Sequence, residues 1–362
     1  MAKNTFLMIF FGGLTLIFTS SLQVLEAQMV SSMFIFGDSL VDVGNNNHLP
    51  LSVARANFPP NGIDFPNKKA TGRFSNGKNA ADIIAEKLGL PSSPPYLSLP
   101  PKNASSAITG INFASGGAGI FNGSDQVLGQ SLPLTQQVGY YESVYEEMVK
   151  KIGRSRAQSQ ISKSLMVIVT GSNDLFGYSD SAGFEKSNTP LQYLNLMALT
   201  LKGLVKRIHE TGARKFLFTG VGPIGCAPGE RVKNKTEECN EVLNSMALSY
   251  NKVLKSMLQE LTSEFQGLSY TYFDTYSNML NLIQKPSTYG FREFKAACCG
   301  LGDLKANVPC LPIATYCSNR KDHVFWDPYH PTEAASRILV DTLFDGPSEY
   351  SFPVNLRQLL AA

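Results

Sequence analysis

The run Leu165-Met-Val-Ile-Val-Thr170 leaves this chain few folds to choose from. It is apolar through five consecutive residues and lacks the alternation of a strand with one wet face. It therefore predicts a strand covered on both sides, as in a parallel sheet between two layers of helices. The runs Met33-Phe-Ile-Phe36, Lys215-Phe-Leu-Phe-Thr219 and Tyr270-Thr-Tyr-Phe273 are short and aromatic or β-branched, and they read as further strands. Helical rhythms lie between and beyond them: 80–88, closed by Gly89; Leu194, Ala198, Leu201, Val205 and Ile208, closed by Gly212; Leu243 through Leu261; and 332–344. Strands alternating with helices predict βαβ units and a doubly wound α/β domain. No internal repeat divides the chain, and the proline-rich loop 91–103 reads as a surface excursion.

The first residues carry an address. Lys3, the apolar run 6–18 and Leu25-Glu-Ala27 form the pattern of a secretory signal peptide, 1–27, which leaves one domain, 28–362. No later run reaches the roughly 18 apolar residues of a spanning helix, so no stable membrane span is expected. A net charge of +3 without a dense Lys/Arg block argues against nucleic acid as a partner. Asn103, Asn122 and Asn234 each begin a glycosylation sequon. Six cysteines in an exported chain favour disulfides, with Cys226 paired to Cys239 and Cys298, Cys299, Cys310 and Cys317 paired among themselves. No histidine stands at ligand spacing among them, so no metal or other cofactor is expected. Export would end outside the cell or in a vacuole.

Chemistry concentrates where strands end. Ser39 follows the first strand in Gly37-Asp38-Ser39; Asn112-Phe-Ala-Ser-Gly116-Gly117 is a loop of small residues; Gly171-Ser-Asn173-Asp174 follows the strongest strand; Asp327-Pro-Tyr-His330 precedes the last helix. Each alone is an ordinary turn. Together they hold the parts of nucleophilic acyl transfer, since a serine needs a histidine to remove its proton and the histidine needs a carboxylate to orient it. Asp327 and His330, three residues apart, can support one another. The N–H groups of Ser39 and Gly116 and the Asn173 amide are a plausible set of oxyanion donors. Of the other histidines, His209 and His323 read as surface positions and His48 has no carboxylate at a comparable spacing.

These blocks, in this order, resemble the GDSL esterase/lipase (SGNH hydrolase) family, and its plant branch in particular. Gly44-Asn-Asn after the serine, Gly72-Arg-Phe-Ser-Asn-Gly77, Ala114-Ser-Gly-Gly-Ala-Gly119, Gly222-Pro-Ile-Gly-Cys226 and Ala297-Cys-Cys-Gly300 carry the likeness across 33–344. The resemblance implies a flavodoxin-like sheet of about five parallel strands. It also implies Ser39 as nucleophile, His330 as base, Asp327 as its orienter, and oxyanion donors at Ser39, Asn173 and Gly116, with Gly117 the alternative to Gly116. The expected activity is secreted esterase or lipase action on an acyl ester, as in lipid degradation. An acyltransferase with the same triad is one alternative. An inactive binding protein is the other, and the intact Ser39, Asn173, Asp327 and His330 argue against it. The acyl chain and the oligomeric state are not legible.

Overall fold

The computed structural model describes residues 29–100, 109–124, 128–180 and 188–362. The expected signal peptide and Asn103 lie outside these residues, whereas Asn122 and Asn234 are exposed within them.

Four strands form the centre: β1 (Met33–Gly37), β2 (Leu165–Val169), β3 (Lys215–Thr219) and β4 (Ser269–Phe273), all parallel. Their register is flush, with Met33, Leu165, Lys215 and Ser269 side by side. All four carboxyl ends therefore reach one rim together. The expected fifth strand is present in a different form. Ser351–Phe352 pairs antiparallel with β4, and Pro353, which has no N–H to offer a neighbour, follows at the sheet edge. On the far side, residues 109–115 run parallel to β1: Met33 and Ile35 donate to the carbonyls of Thr109 and Ile111, while Phe113 and Ser115 donate to those of Ile35 and Gly37. Counting that segment, the order of the parallel strands is second, first, third, fourth, fifth. The winding reverses at β1, and at such a switch point open α/β sheets keep their ligand crevice.

Alternation along the strands builds two cores. Phe34, Phe36, Met166, Ile168, Phe216, Phe218, Tyr270 and Tyr272 face one way, against α2 (Leu134–Ile152), α4 (Pro190–Glu210) and α5 (Glu241–Glu264). Met33, Ile35, Leu165, Val167, Val169, Leu217 and Phe273 face the other way, against α1 (Ala80–Lys87) and α6 (Glu333–Asp345). Each fully buried aliphatic or aromatic side chain contributes about 1.5–3 kcal/mol. The helices start where side chains satisfy their free N–H groups: Asn79 and Thr189 in capping boxes, Asn240 and Thr332 as simple caps. The remaining helix needed here, α3 (Ser172–Asp180), begins three residues after β2.

The Gly72–Gly77 segment is fastened to α1 by a buried ion pair. Arg73 Nε and Nη2 donate to Asp82 Oδ2 and Oδ1 at 2.6 and 2.7 Å, with Arg73 7% and Asp82 1% exposed. Burial alone would raise the Asp82 pKa, but hydrogen bonds and charge from Arg73 outweigh it and hold the carboxyl below the usual carboxylate range. Arg73→Met leaves that carboxylate buried and unpaired, so unfolding free energy falls by about 3–5 kcal/mol. Urea titration of the variant checks this; an unchanged midpoint would show that the pair holds nothing.

Candidate active site

The strand-to-turn corner at β1 depends on Gly37. Its φ of +151° lies in the region other residues avoid, and a Cβ there would come within 2.1 Å of the Val169 carbonyl oxygen. Beyond it, Asp38 N donates to Val169 O, and Val41 and Asp42 close the turn onto Asp38 O. Ser39 projects from this turn. Its Oγ lies 2.7 Å from His330 Nε2. On the other side of the ring, Nδ1 lies 2.7 and 2.8 Å from the Asp327 carboxylate oxygens. With Nδ1–H donating to that carboxylate, Nε2 is free to accept the serine proton.

The loop carrying Asp327 and His330 is braced at several points. Asp327 Oδ1 accepts from the N–H groups of Tyr329 and His330 at 2.9 Å each, and Trp326 N donates to His330 O at 2.8 Å. Trp326 is fully buried and its indole N–H donates to Asn61 Oδ1. Cys298 N and Cys299 N donate to the carbonyls of Phe325 and Trp326, which ties the loop to a unit closed by the disulfides Cys298–Cys317 and Cys299–Cys310. The third disulfide is Cys226–Cys239, as expected. Phe74, next to Arg73, stacks on the His330 ring at 4.9 Å between centroids.

The glycine loop needs a correction. Gly116 N–H does not face the cavity, because it donates to Asp42 Oδ2 at 3.0 Å. Asp42 is buried and its carboxylate needs donors; it also takes the N–H groups of Gly44 and Asn45 on Oδ1 at 2.7 and 2.8 Å. Gly117, with φ of +79°, is the residue that lines the cavity, and its N–H and that of Ser39 have no protein acceptor among the described residues. Asn173, near the start of α3, lines the same cavity and gives one amide proton to Ala118 O at 2.9 Å, leaving the other available. The neighbouring Asp174 is buried and holds the glycine loop through Ile120 N, Phe121 N and Ser124 Oγ. Ser39, Gly117, Asn173, Asp327 and His330 thus share one cavity of about 660 Å³. Sequence reading passed over Asp42 and Phe74 as side chains of the site. The three consecutive asparagines after Gly44 were the visible signal, since such a polar cluster with no helical rhythm usually spends its amides on the backbone.

The other histidines stand apart from Ser39. His209 stacks on Phe265 and meets Gln266 O at 3.0 Å, while His323 pairs with Asp322 at 2.7 Å. Among the described residues, no three His, Cys, Asp or Glu side chains are grouped to hold a metal ion, and no helix is long and apolar enough to cross a membrane.

Two carboxyls beside the serine carry raised pKa values. Burial pushes Asp38 up to about 7, against the Leu40 N–H and the His330 charge; its Oδ2 is buried with no partner. Burial likewise raises Asp42 to about 6, against the N–H groups of Gly44, Asn45 and Gly116.

Compared with known proteins, the GDSL-like Lipase/Acylhydrolase family model matches residues 33–343. A GDSL esterase/lipase of Arabidopsis thaliana is 53% identical, with 99% of each chain covered. A second from the same plant is 40% identical over 88% of this chain and 90% of its own, and a third is 38% identical over 92% of each.

Asp38 makes a prediction about stability. In the unfolded chain it loses its proton near 3.8, and in the folded protein near 7. Between these values the native state binds the extra proton, so this stabilising contribution is complete below 3.8 and is lost as pH rises through about 7. Asp38→Asn removes that dependence. Urea unfolding at pH 4.5 and 7.5 should show the variant gaining on the parent at the higher pH; a constant difference would mean that Asp38 ionises normally.

Proposed function

The chain belongs to the GDSL-like lipase/acylhydrolase family of carboxylic ester hydrolases, and we propose that it is an exported serine esterase or lipase acting through Ser39, His330 and Asp327. The observation that carries this reading is the 2.7 Å contact between Ser39 Oγ and His330 Nε2, backed by Asp327 on the opposite ring nitrogen. Ser39 Oγ attacks the ester carbonyl carbon while His330 takes the hydroxyl proton, and Asp327 steadies the imidazolium that forms. The carbonyl oxygen becomes an oxyanion held by Ser39 N–H, Gly117 N–H and the free amide proton of Asn173. As the intermediate collapses, the C–O bond to the alcohol breaks and His330 returns the proton to the departing oxygen. Water then attacks the acyl-enzyme with His330 again as base, releasing the carboxylic acid and restoring Ser39. The chain supplies each of these groups itself, so the cycle calls on no cofactor.

Export is part of the proposal. The signal peptide 1–27 is removed, and a single catalytic domain, 28–362, carries three disulfides and glycans at Asn103, Asn122 and Asn234 to the extracellular space or a vacuole. Asn122 and Asn234 support this by being exposed.

Hydrolysis of p-nitrophenyl esters from acetate to palmitate tests the triad. Ser39→Ala abolishes turnover, and Asp327→Asn, which keeps the shape but favours the wrong tautomer, lowers kcat by roughly 10³- to 10⁴-fold. Activity falls on acidification, because a protonated His330 cannot accept the serine proton. Turnover that survives Ser39→Ala would end this reading. For export, amino-terminal sequencing of the protein recovered from a plant secretory pathway should begin at Gln28, and an intact Met1 terminus would refute the leader.

A further inference from the structure

Glu230 is a buried charge in the wall of the catalytic cavity, and ester cleavage as described leaves it without a task. It is 3% exposed and lines the cavity alongside Phe176, Asp180 and Tyr329. Its one side-chain hydrogen bond among the described residues comes from Lys233 Nζ to Oε1, at 2.7 Å. The second carboxylate oxygen, Oε2, takes no hydrogen bond from a donor among the described residues. A carboxylate offers about four acceptor positions, and a buried one left short of donors is costly. Lys233 is half exposed and lies 4.0 Å from Asp180, so its ammonium also has donor capacity to spare.

The position of this cluster relative to the chemistry is fixed by the backbone. Gly229 N donates to Pro328 O at 2.9 Å, joining the Glu230 segment to the loop that carries Asp327 and His330. Tyr329 crosses directly over Gly229: a Cβ there would sit 2.7 Å from the ring. Tyr329 is 44% exposed and its ring meets Phe176 edge-on, with 5.6 Å between centroids, and both line the cavity. This wall therefore adjoins the histidine that must hand its proton to the leaving alcohol. The cavity also has an apolar part, lined by Val169, Phe273, Leu339, Val340 and Leu343.

We propose that Glu230, Lys233 and Tyr329 form a subsite for the alcohol part of the ester, and that this alcohol is a sugar ring. Sugar hydroxyls donate to Glu230 Oε2 and accept from Lys233 Nζ, and the C–H face of the ring lies on Tyr329 while the acyl chain takes the apolar reach. A few fixed polar groups in a mainly apolar pocket are what orient a ligand. A site built to meet hydroxyls also rejects an alcohol lacking them, since its own polar groups would then stay unpaired. The proposal rests on Ser39 and His330 as the ester-cleaving pair.

The test compares three octanoyl esters: on the 6-hydroxyl of methyl glucoside, on cyclohexylmethanol, and on p-nitrophenol. The parent enzyme should favour the glucoside over the cyclohexylmethyl ester by at least about tenfold in kcat/KM. Glu230→Gln and Lys233→Met should each remove most of that preference while leaving p-nitrophenyl octanoate within about threefold of the parent. Lys233 is half exposed, so its variant tests the idea even where Glu230→Gln folds poorly. Equal rates on the glucoside and cyclohexylmethyl esters would overturn the subsite. So would a uniform slowing of all three esters by both variants, the mark of a purely structural ion pair. Failure of the Ser39 reading is distinct, because p-nitrophenyl octanoate would then still be cleaved by Ser39→Ala.

Discussion

One buried carboxylate sets the geometry on which the site depends. Asp42 receives Gly44 N–H and Asn45 N–H from the turn that carries Ser39, and Gly116 N–H from the glycine loop. Two loops are thereby keyed to one point, the Gly116 contact spanning 74 residues of sequence. Charge-assisted hydrogen bonds are shorter and stronger than neutral ones, and burial spares them competition from water. The price is desolvation of the carboxylate, visible in its raised pKa. Neighbouring amides extend the key: Asn45 Nδ2 donates to the carbonyls of Asn112 and Ala114, Asn46 Nδ2 to that of Gly116, and Asn112 Nδ2 to that of Val41. By fixing the Gly116 peptide on Asp42, this network decides which glycine N–H is left to face the cavity.

The histidine side of the contact is held by different means. His330 sits on a loop, and loops move unless something opposes them. Here Phe74 packs on the ring, Trp326 packs among the cysteines and donates its backbone N–H to His330 O, and two disulfides close the unit whose backbone bonds to the loop. Phe74 is itself positioned by its neighbour Arg73, which is locked onto α1. Hydrogen-bonded backbone on the serine side and aromatic packing with covalent closure on the histidine side meet across a single 2.7 Å contact.

Much of this was legible in the residues. Met33–Gly37, Leu165–Val169 and their two parallel partners stood out because strands buried on both faces cannot disguise their composition. Helices α4, α5 and α6 kept their rhythm because one stripe must enter a core. Ser39, Asn173, Asp327 and His330, which line one cavity, stood out because few residue types suit the chemistry proposed for them. Other features left fainter marks. Ser351–Phe352 is too short for any alternation to register, and 109–115 bonds to β1 on one side through a run broken by glycine and asparagine. The exchange of Gly116 for Gly117 turns on the direction of one peptide N–H, which follows from Asp42 and not from either glycine's identity. Helix α2 was overlooked although Leu134, Val138, Tyr141, Tyr145 and Met148 repeat at helical spacing; the glycine and polar residues among them diluted the stripe.

The two atoms of the 2.7 Å contact come from opposite ends of the chain, with 291 residues between Ser39 and His330. The serine sits on the turn after the first strand of the sheet and the histidine on the last loop before the final long helix. During synthesis Ser39 emerges long before Asp327 and His330, the groups that would orient and deprotonate it in the proposed triad. On that reading, a ribosome-bound product that ends before Asp327 would be hydrolytically silent however well its early strands have formed. On the same reading, competence to cut esters would arrive only with a nearly complete polypeptide, and the cell making it would be shielded from the chemistry until the last tenth of the message has been read.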